Sequence, residues 1–269
     1  MKTNKITPSF LSEKKKRKEK IVAVTAYDYL SAKIVDEVGV DVILVGDSLG
    51  MVLLGYDSTL RVTVDEMLHH MRAATRARPR ALLVGDMPFL SYQPSVRDAV
   101  QNAGRFVRDG GAQAVKVEGG HEMADRIKAI LDAGVPVMGH LGMRPQQTLR
   151  VEGYRVQGKK RQDAEALLKD AKLLEKLGVF SVVLECVPTS VARKISAALK
   201  IPTIGIGAGK YCDGQILVLH DLLGFTQAPQ PKFVKRYADM ATLMKKAVSQ
   251  YKREVRAGVY PDASHSYEP

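Results

Sequence analysis

Four acids in this chain stand at or near the ends of short apolar runs. VILVGDSLG (Val42–Gly50) runs from four apolar residues into Gly46, Asp47 and Ser48, and ALLVGDMP (Ala81–Pro88) ends the same way at Asp86. AVKVEG carries Lys116 and Glu118, VPVMGH ends at His140, and SVVLECV carries Glu185. Runs this short and this rich in Val, Ile and Leu read as strands buried on both faces. Carboxylates are rare in such strands unless they are paired or bound to metal.

Asp47, Asp86 and Glu118 are hard oxygen donors of the kind that suits Mg²⁺, which takes one or two protein carboxylates directly and keeps several waters. No His/Cys spacing suggests zinc, and His69-His70 falls on an expected helix surface. In AVKVEG a period of two puts Val115 and Val117 on one face and Lys116 and Glu118 on the other. Two meanings stay open there: Lys116 meets an anionic substrate with Glu118 beside a cation, or the two form a plain buried ion pair. Glu185, expected to be walled by Val182, Leu184 and Val187, has the desolvated setting of a general base. A further metal ligand and a salt bridge to the helical layer are its alternatives. His140 is expected to line the site rather than act as the base. A 2-oxo acid chelating Mg²⁺ would lose electron density from the carbon beside its ketone, so that a nearby carboxylate could remove a proton and leave a metal-stabilised enolate. Such a site suits carbon–carbon chemistry on a 2-oxo acid.

The elements that must position these residues are punctuated by one phrase. A helical stretch ends, a glycine follows, and an apolar strand starts within a few residues, as at Gly39, Gly110, Gly134 and Gly178. The strands expected are 21–28, 42–47, 81–86, 113–118, 135–140, 181–187, 202–207 and 215–220. Helices are expected over 31–38, 63–77, 95–109, 121–133, 162–177 and 189–199, with a basic amphipathic helix over 231–255. Eight strands alternating with helices in this length predict a (β/α)8 TIM barrel, with a doubly wound sheet as the alternative. Against the latter, Gly205-Ile206-Gly207-Ala208-Gly209 lacks the last glycine of a dinucleotide fingerprint, and Gly209-Lys210-Tyr211 is no P-loop. Barrel active sites form at strand C-termini, which adds Asp28, Gly207–Gly209 and Asp221 to the candidates. The polar loop from Gly142 to Lys160 is long enough to be functional or mobile. The expected layout is a basic helical extension over 1–20, one catalytic barrel over 21–256, and a polar tail over 257–269.

Composition narrows the class. At 269 residues, 45% hydrophobic and 26% charged, the chain is ordinary for a soluble globular protein with a sizeable core. No apolar run approaches a membrane span, and the N-terminal stretch has no apolar segment of a secretory signal. Two cysteines, Cys186 and Cys212, are too few for a disulfide scaffold and point to a reducing cytoplasm. The net charge is +12, of which Lys14–Lys20 (KKKRKEK) supplies +5 from six cations and one acid. That run is either a nucleic-acid patch or a solvated helix. With no zinc spacing, no RNP-type aromatic cluster and no Trp, a solvated helix is expected, and neither nucleic acid nor membrane is an expected partner.

Several phrases together resemble the ketopantoate hydroxymethyltransferase family. They are TAYD (Thr25–Asp28), LVGDSLGMV (Leu44–Val52), DMPFLSY (Asp86–Tyr92), GGAQAVKVEGG (Gly110–Gly120) and GHLGMRPQ (Gly139–Gln146). GYRVQGK (Gly153–Lys159), VLECVP (Val183–Pro188), PTIGIGAG (Pro202–Gly209) and CDGQILVLHDLLG (Cys212–Gly224) extend the likeness from about residue 21 to the C-terminal region. The resemblance implies a (β/α)8 barrel that uses Mg²⁺ and 5,10-methylenetetrahydrofolate to move a hydroxymethyl unit onto C3 of 3-methyl-2-oxobutanoate, giving 2-dehydropantoate. It implies metal residues at Asp47, Asp86 and Glu118, the last directly or through water. It further implies keto-acid contacts at Asp47, Ser48, Asp86 and Lys116, a proton acceptor at Glu185, and a homodecamer. Met143-Arg144, Glu152-Gly153-Tyr154 and Lys210-Tyr211 depart from the family pattern, which bears on loop geometry and folate contacts. The isocitrate lyase and phosphoenolpyruvate mutase group is the enzymatic alternative, but its KKCGH segment is VKVEGGH here, without the Cys. Gly46 and Gly50 are expected to keep side chains away from a chelated substrate.

Overall fold

The structure, a computed structural model, describes residues 5–147, 155–226 and 230–267. Eight apolar runs form parallel strands: β1 (Ile21–Thr25), β2 (Val42–Val45), β3 (Leu82–Asp86), β4 (Ala114–Glu118), β5 (Val137–Gly142), β6 (Ser181–Glu185), β7 (Thr203–Ile206) and β8 (Gly214–Leu217). Each pairs with the next and β8 pairs back to β1, so the sheet is a closed (β/α)8 barrel and the doubly wound alternative is excluded. The helices of this unit are α1 (Pro8–Lys16), α2 (Tyr29–Val38), α3 (Leu49–Val52), α4 (Val64–Arg76), α5 (Val96–Arg108), α6 (Ala124–Asp132), α7 (Arg161–Leu177) and α8 (Thr189–Ala198). Gly39 and Gly178 explain the recurring phrase: they end α2 and α7 at φ of 90° and 104°, which a side chain would strain. Thr63 and Glu66 form the expected capping box of α4, and Ser95 caps α5.

Strand alternation then sorts the barrel's interior by height. On β3, Leu82, Val84 and Asp86 fall on one face; on β4, Ala114, Lys116 and Glu118 do; on β5, Met138 and His140 do. The lower members join Ile21, Val42, Leu44, Val183, Ile204 and Ile216 in one apolar core, while the upper members are ionisable. Register does the rest. It sets Asp86 beside Lys116 and Glu118 beside His140.

The floor of the barrel corrects the expectation of a solvated basic helix. α1 ends at Lys16, and its Leu11, fully buried, joins Ile6 in the barrel core. Burying a leucine contributes about 1.5–3 kcal/mol. Lys14 Nζ contacts both carboxylate oxygens of Asp41 at 2.8 and 2.7 Å, and Lys15 Nζ pairs with Asp213 at 2.9 Å. Lys20 Nζ donates to the Cys212 carbonyl at 2.6 Å. Half of the six cations in the run are thus spent closing the bottom of the barrel, where uncapped strand ends leave acids and carbonyls to satisfy.

Four other expectations shift. β8 stops at Leu217, because Leu219 and His220 enter a short helix, α9 (Leu219–Leu222). Asp221 therefore ends no strand; its carboxylate accepts a hydrogen bond from Thr226 at 2.8 Å. The basic amphipathic helix, α10 (Met240–Arg256), begins at Met240 because Asp239 caps it, accepting from the Thr242 amide. Asp28 belongs to no site at the barrel mouth; it caps α2 through a capping box with Ser31. The chain divides into two compact units, Met1–Val218 with the barrel and Leu219–Pro269 with α9 and α10. Glu152-Gly153-Tyr154 and part of the Gly142–Lys160 loop lie outside the described residues. No helix among the described residues is long and apolar enough to cross a membrane.

Candidate active site

Asp47, Asp86, Lys116, Glu118 and His140 meet at the upper end of the barrel, each no more than 4% exposed. Lys116 Nζ lies 2.8 Å from Asp86 Oδ1, 3.6 Å from Glu118 Oε1 and 3.2 Å from His140 Nδ1. The Asp47 backbone amide donates to Asp86 Oδ2 at 3.2 Å, which joins the ends of β2 and β3. On the far side, His140 Nδ1 lies 3.3 Å from Glu118 Oε1 and its Nε2 lies 3.2 Å from Glu185 Oε2. Lys116 and Glu118 are thus both buried and in contact, as the ion-pair reading had it, but within a larger cluster of acids. His140 bridges Glu118 to Glu185.

Burial and charge act against each other here. Burial pushes the Asp47 carboxyl well above the usual carboxylate range, and the neighbouring Asp86 pushes it further. Burial likewise raises Asp86, against the pull of Lys116. Burial works to discharge Lys116, but Asp86, Glu118 and Asp47 hold its ammonium in place above the ordinary lysine value. Glu118 is desolvated too, yet Lys116 and His140 bring it below its ordinary value. For His140, burial and Lys116 both oppose protonation, and the contacts with Glu118 and Glu185 outweigh them, raising it to about 9. Four carboxylates against Lys116 and a protonated His140 leave a formal excess of two negative charges when all the acids are ionised.

Those acids also keep unused acceptors. Asp86 Oδ1 meets Lys116 Nζ at 2.8 Å, and Glu118 Oε1 lies 3.6 Å from Lys116 Nζ and 3.3 Å from His140 Nδ1, so each buried oxygen has a cation on one side and a second lone pair to spare. Buried lone pairs of that kind are costly unless a cation or a donor meets them. Hard oxygens with spare lone pairs and a formal excess of two negative charges fit Mg²⁺. Three potential ligand atoms within 4.8 Å of one another also occur at His121, Glu122 and Asp170, on the surface. There the acceptors are already used: Asp170 Oδ1 receives His121 N and Glu122 receives Gly120 N and Arg144. That cluster is a surface ion network, and it is where the departing Arg144 finds its partner.

Ser48 and Gly46 sit beside the acids. Ser48 Oγ lies 2.9 Å from the hydroxyl of the fully buried Tyr27, whose carbonyl receives His70 Nδ1 at 2.8 Å. His70 is therefore half-buried and tied down rather than free on the surface. A Cβ at Gly46 would come within 3.0 Å of Ser48 Oγ and 3.7 Å of Asp86 Oδ2, so a side chain there would intrude on these groups. Gly50 differs from its expected role: its Cβ would meet Val62 and Tyr56, so it serves loop packing and not the site. The wall expected around Glu185 is also corrected. A period of two turns Val182 and Leu184 to the opposite face of β6, and the neighbour of Glu185 is His140. The segment Gly207–Gly209 forms the bend after β7, where a Cβ at Gly209 would meet the side chain of Thr189.

One residue was not singled out at all from the sequence. Gln146, 2% exposed, donates from Nε2 to Asp47 Oδ2 and to the Met87 carbonyl, both at 2.9 Å. Its backbone amide donates to Glu118 Oε2 at 3.2 Å, and its Oε1 accepts from Tyr92 at 2.8 Å and Gln93 at 3.0 Å. It holds two of the acids from one loop. Replacing it by leucine should lower Mg²⁺ affinity by roughly 10–100-fold, the usual effect of losing a partner that orients metal-binding carboxylates. Titration calorimetry with Mg²⁺ and Mn²⁺ checks this; affinity unchanged from wild type would show that Asp47 and Glu118 need no such support.

Comparison with known proteins bears on what this cluster serves. The family model described as ketopantoate hydroxymethyltransferase matches residues 5–263. Relatives named 3-methyl-2-oxobutanoate hydroxymethyltransferase include one from Geobacter metallireducens, 57% identical over 93% of each chain. One from Moorella thermoacetica is 54% identical over 98% of each chain, and one from Syntrophomonas wolfei is 53% identical over 98% of this chain and 95% of its own. Among solved structures, phosphonopyruvate hydrolase in complex with oxalate and Mg²⁺ superposes with a TM-score of 0.62 at 12% identity, covering 97% of this chain and 91% of that one. A 2,3-dimethylmalate lyase of the PEP mutase/isocitrate lyase superfamily gives 0.60 at 15% identity, covering 96% and 91%. At such identities these two share the fold and nothing more is carried over.

Proposed function

This chain belongs to the ketopantoate hydroxymethyltransferase family, and on that premise we propose the reaction and the residues that perform it. With one water, the one-carbon unit of 5,10-methylenetetrahydrofolate becomes a hydroxymethyl group on C3 of 3-methyl-2-oxobutanoate, and 2-dehydropantoate and tetrahydrofolate leave. Asp47 and Asp86 hold Mg²⁺, with Glu118 completing the set directly or through water. Bound Mg²⁺ supplies the Lewis acidity that draws electrons from the keto acid's carbonyl and makes the C3 proton removable.

Glu185 takes that proton. His140, placed between Glu185 and Glu118 at 3.2 and 3.3 Å, fixes the carboxylate and offers a cation beside the charge it gives up. Lys116, Asp47, Ser48 and Asp86 contact the keto acid, Lys116 by attraction to its negative charge. Tyr27 orients Ser48, and the missing side chain at Gly46 leaves room for the substrate. The observation that carries this reading is the buried cluster of four acids facing two cations, with Asp86 Oδ1 and Glu118 Oε1 turned toward Lys116 beside the His140–Glu185 contact.

The remaining features fit a cytoplasmic oligomer. Both cysteines are free. α10 exposes Met244, Val248, Tyr251 and Val255 along one stripe and buries none of its residues. α2 exposes Leu30, Ile34 and Val38 at helical spacing. Apolar stripes of this kind mark contact surfaces, in keeping with the decamer that the family resemblance implies. The test of the reaction is direct. Purified protein with both substrates and Mg²⁺ should form 2-dehydropantoate and tetrahydrofolate in equal amounts, lose activity with EDTA and regain it with Mg²⁺. Turnover that survives exhaustive chelation would remove the metal from the account.

A further inference from the structure

The mouth of the barrel is divided by polarity. From β3 to β6 its uppermost inward side chains are Asp86, Glu118, His140 and Glu185, whereas on β7 and β8 they are Ile206 and Ile216. Alternation fixes these faces. Ile204 and Val183 lie in the barrel core, so Ile206 and Glu185, each two residues further on, point inward as well. Register then pairs Glu185 with Ile206 on the neighbouring strand, and such neighbours lie about 4.8 Å apart. On the other side the register partner of Glu185 is Gly142, where a Cβ would collide with the Glu185 carbonyl oxygen. The polar flank of Glu185 is therefore His140, at 3.2 Å, and its apolar flank is Ile206.

Ile206 also differs from its neighbours in exposure. Val183, Ile204 and Ile216 are 3%, 0% and 6% exposed, while Ile206 packs on the same core and is only half-buried. Among the described residues it is the one apolar side chain on this core that leaves surface open at the mouth. Covering such surface with alkyl groups is favourable, by roughly 25 cal/mol for each Å² removed from water.

The keto acid brings the matching surface. The carbon that gives up its proton to Glu185 carries two methyl groups, and these lie beside Glu185 whenever the proton faces it. The carboxylate and ketone of the substrate are drawn to Asp47, Asp86 and Lys116, on the β2–β4 side. Methyl groups turned toward His140 and Glu118 would strip solvent from charged groups without offering a partner in return. Turned toward β7 they meet Ile206, with Ile216 beside it by one further step of the β7–β8 register.

Resting on the reaction read above, we propose that Ile206 determines which 2-oxo acid this enzyme accepts. Its side chain packs against the two C3 methyl groups, favours a branched acid over a straight one, and limits the size of the branch. Ile206 takes no part in moving the proton, so its effect belongs to KM and to selectivity.

The test is C3 proton exchange in D₂O with Mg²⁺ and without folate, run on three 2-oxo acids. These are 3-methyl-2-oxobutanoate, 2-oxobutanoate, which lacks one methyl, and 3-methyl-2-oxopentanoate, which adds one methylene. Wild type should bind 3-methyl-2-oxobutanoate with a KM about tenfold below the other two, the scale of one methyl or methylene in an apolar pocket. In Ile206→Ala the KM for 3-methyl-2-oxobutanoate should rise about tenfold. The KM for 3-methyl-2-oxopentanoate should fall, so that the order of these two acids reverses. Ile206→Val, a smaller loss that spares the fold, should shift the ratio of these KM values in the same direction by about threefold. The Ki of oxalate, which chelates Mg²⁺ and has no alkyl group, should be the same in all three proteins. A KM ratio unchanged by either variant overturns the role of Ile206, and so does a parallel rise for every ligand, oxalate included. Should the alanine variant fail to fold, the valine variant decides alone, an unchanged ratio again overturning the proposal. Absence of Mg²⁺-dependent exchange with every 2-oxo acid in wild type overturns the reading of the reaction, and this inference with it.

Discussion

Glu185→Gln should abolish exchange of the C3 proton of 3-methyl-2-oxobutanoate while leaving keto-acid binding within about threefold of wild type. General-base contributions are typically 10²–10⁴-fold, so the exchange rate should fall by about that factor. The amide keeps the shape of the carboxylate and can still meet His140 Nε2, now 3.2 Å from Glu185 Oε2, so neither the fold nor the metal site should suffer. What it cannot do is accept a proton from carbon. Deuterium incorporation followed by NMR reads this step alone, with no folate present. Wild-type exchange in this variant would move the base elsewhere.

Asp47→Asn and Asp86→Asn should behave differently from each other, although both remove an acid from the proposed metal site. Burial and the nearby Asp86 raise the Asp47 carboxyl well above its unfolded value. A carboxyl that binds its proton more tightly in the folded state makes folding weaker as pH rises above its unfolded value near 4. At neutral pH the metal-free protein therefore carries a cost at Asp47 that asparagine removes. Asp47→Asn should melt at the wild-type temperature or above it without metal, and the rise in Tm that Mg²⁺ gives wild type should be lost. Asp86→Asn instead strips Lys116 of its 2.8 Å partner in a buried setting. Removing one partner of such a pair costs about 3–5 kcal/mol, so this variant should melt lower in the absence of metal. Differential scanning fluorimetry with EDTA and with Mg²⁺ separates the two. If both variants keep a wild-type Mg²⁺ response, the ligand assignment fails.

The chemistry was legible where it sat on strands. Asp47, Asp86, Lys116 and Glu118 stood out because ionisable groups at the ends of apolar runs are anomalous, and a period of two told which of them share a face. The barrel was legible for a related reason: glycines such as Gly39 and Gly178 mark helix ends by a conformation other residues avoid. Gln146 was not legible, because its importance lies in partners far away in the chain, Asp47 being 99 residues distant, and its own loop shows no pattern. Glu185 was found, but its surroundings were misjudged by reading sequence neighbours as spatial ones; alternation sends Val182 and Leu184 away from it. The basic run Lys14–Lys20 looked like a solvated face because charge alone does not reveal that Asp41 and Asp213 wait at the barrel floor. Asp28 was offered as a site residue because a strand-end acid and a helix-capping acid look alike until the helix is seen to begin at the next residue.

The central claim is that this barrel mouth, with a divalent cation and without any folate, makes the C3 proton of a 2-oxo acid labile. The direct measurement is deuterium exchange at C3 of 3-methyl-2-oxobutanoate in D₂O, with wild-type protein and Mg²⁺ alone, followed by NMR. The account predicts exchange that requires both protein and Mg²⁺ and that stops on adding EDTA. Exchange that is absent until folate is supplied, or that continues undiminished after the metal is removed, would contradict it.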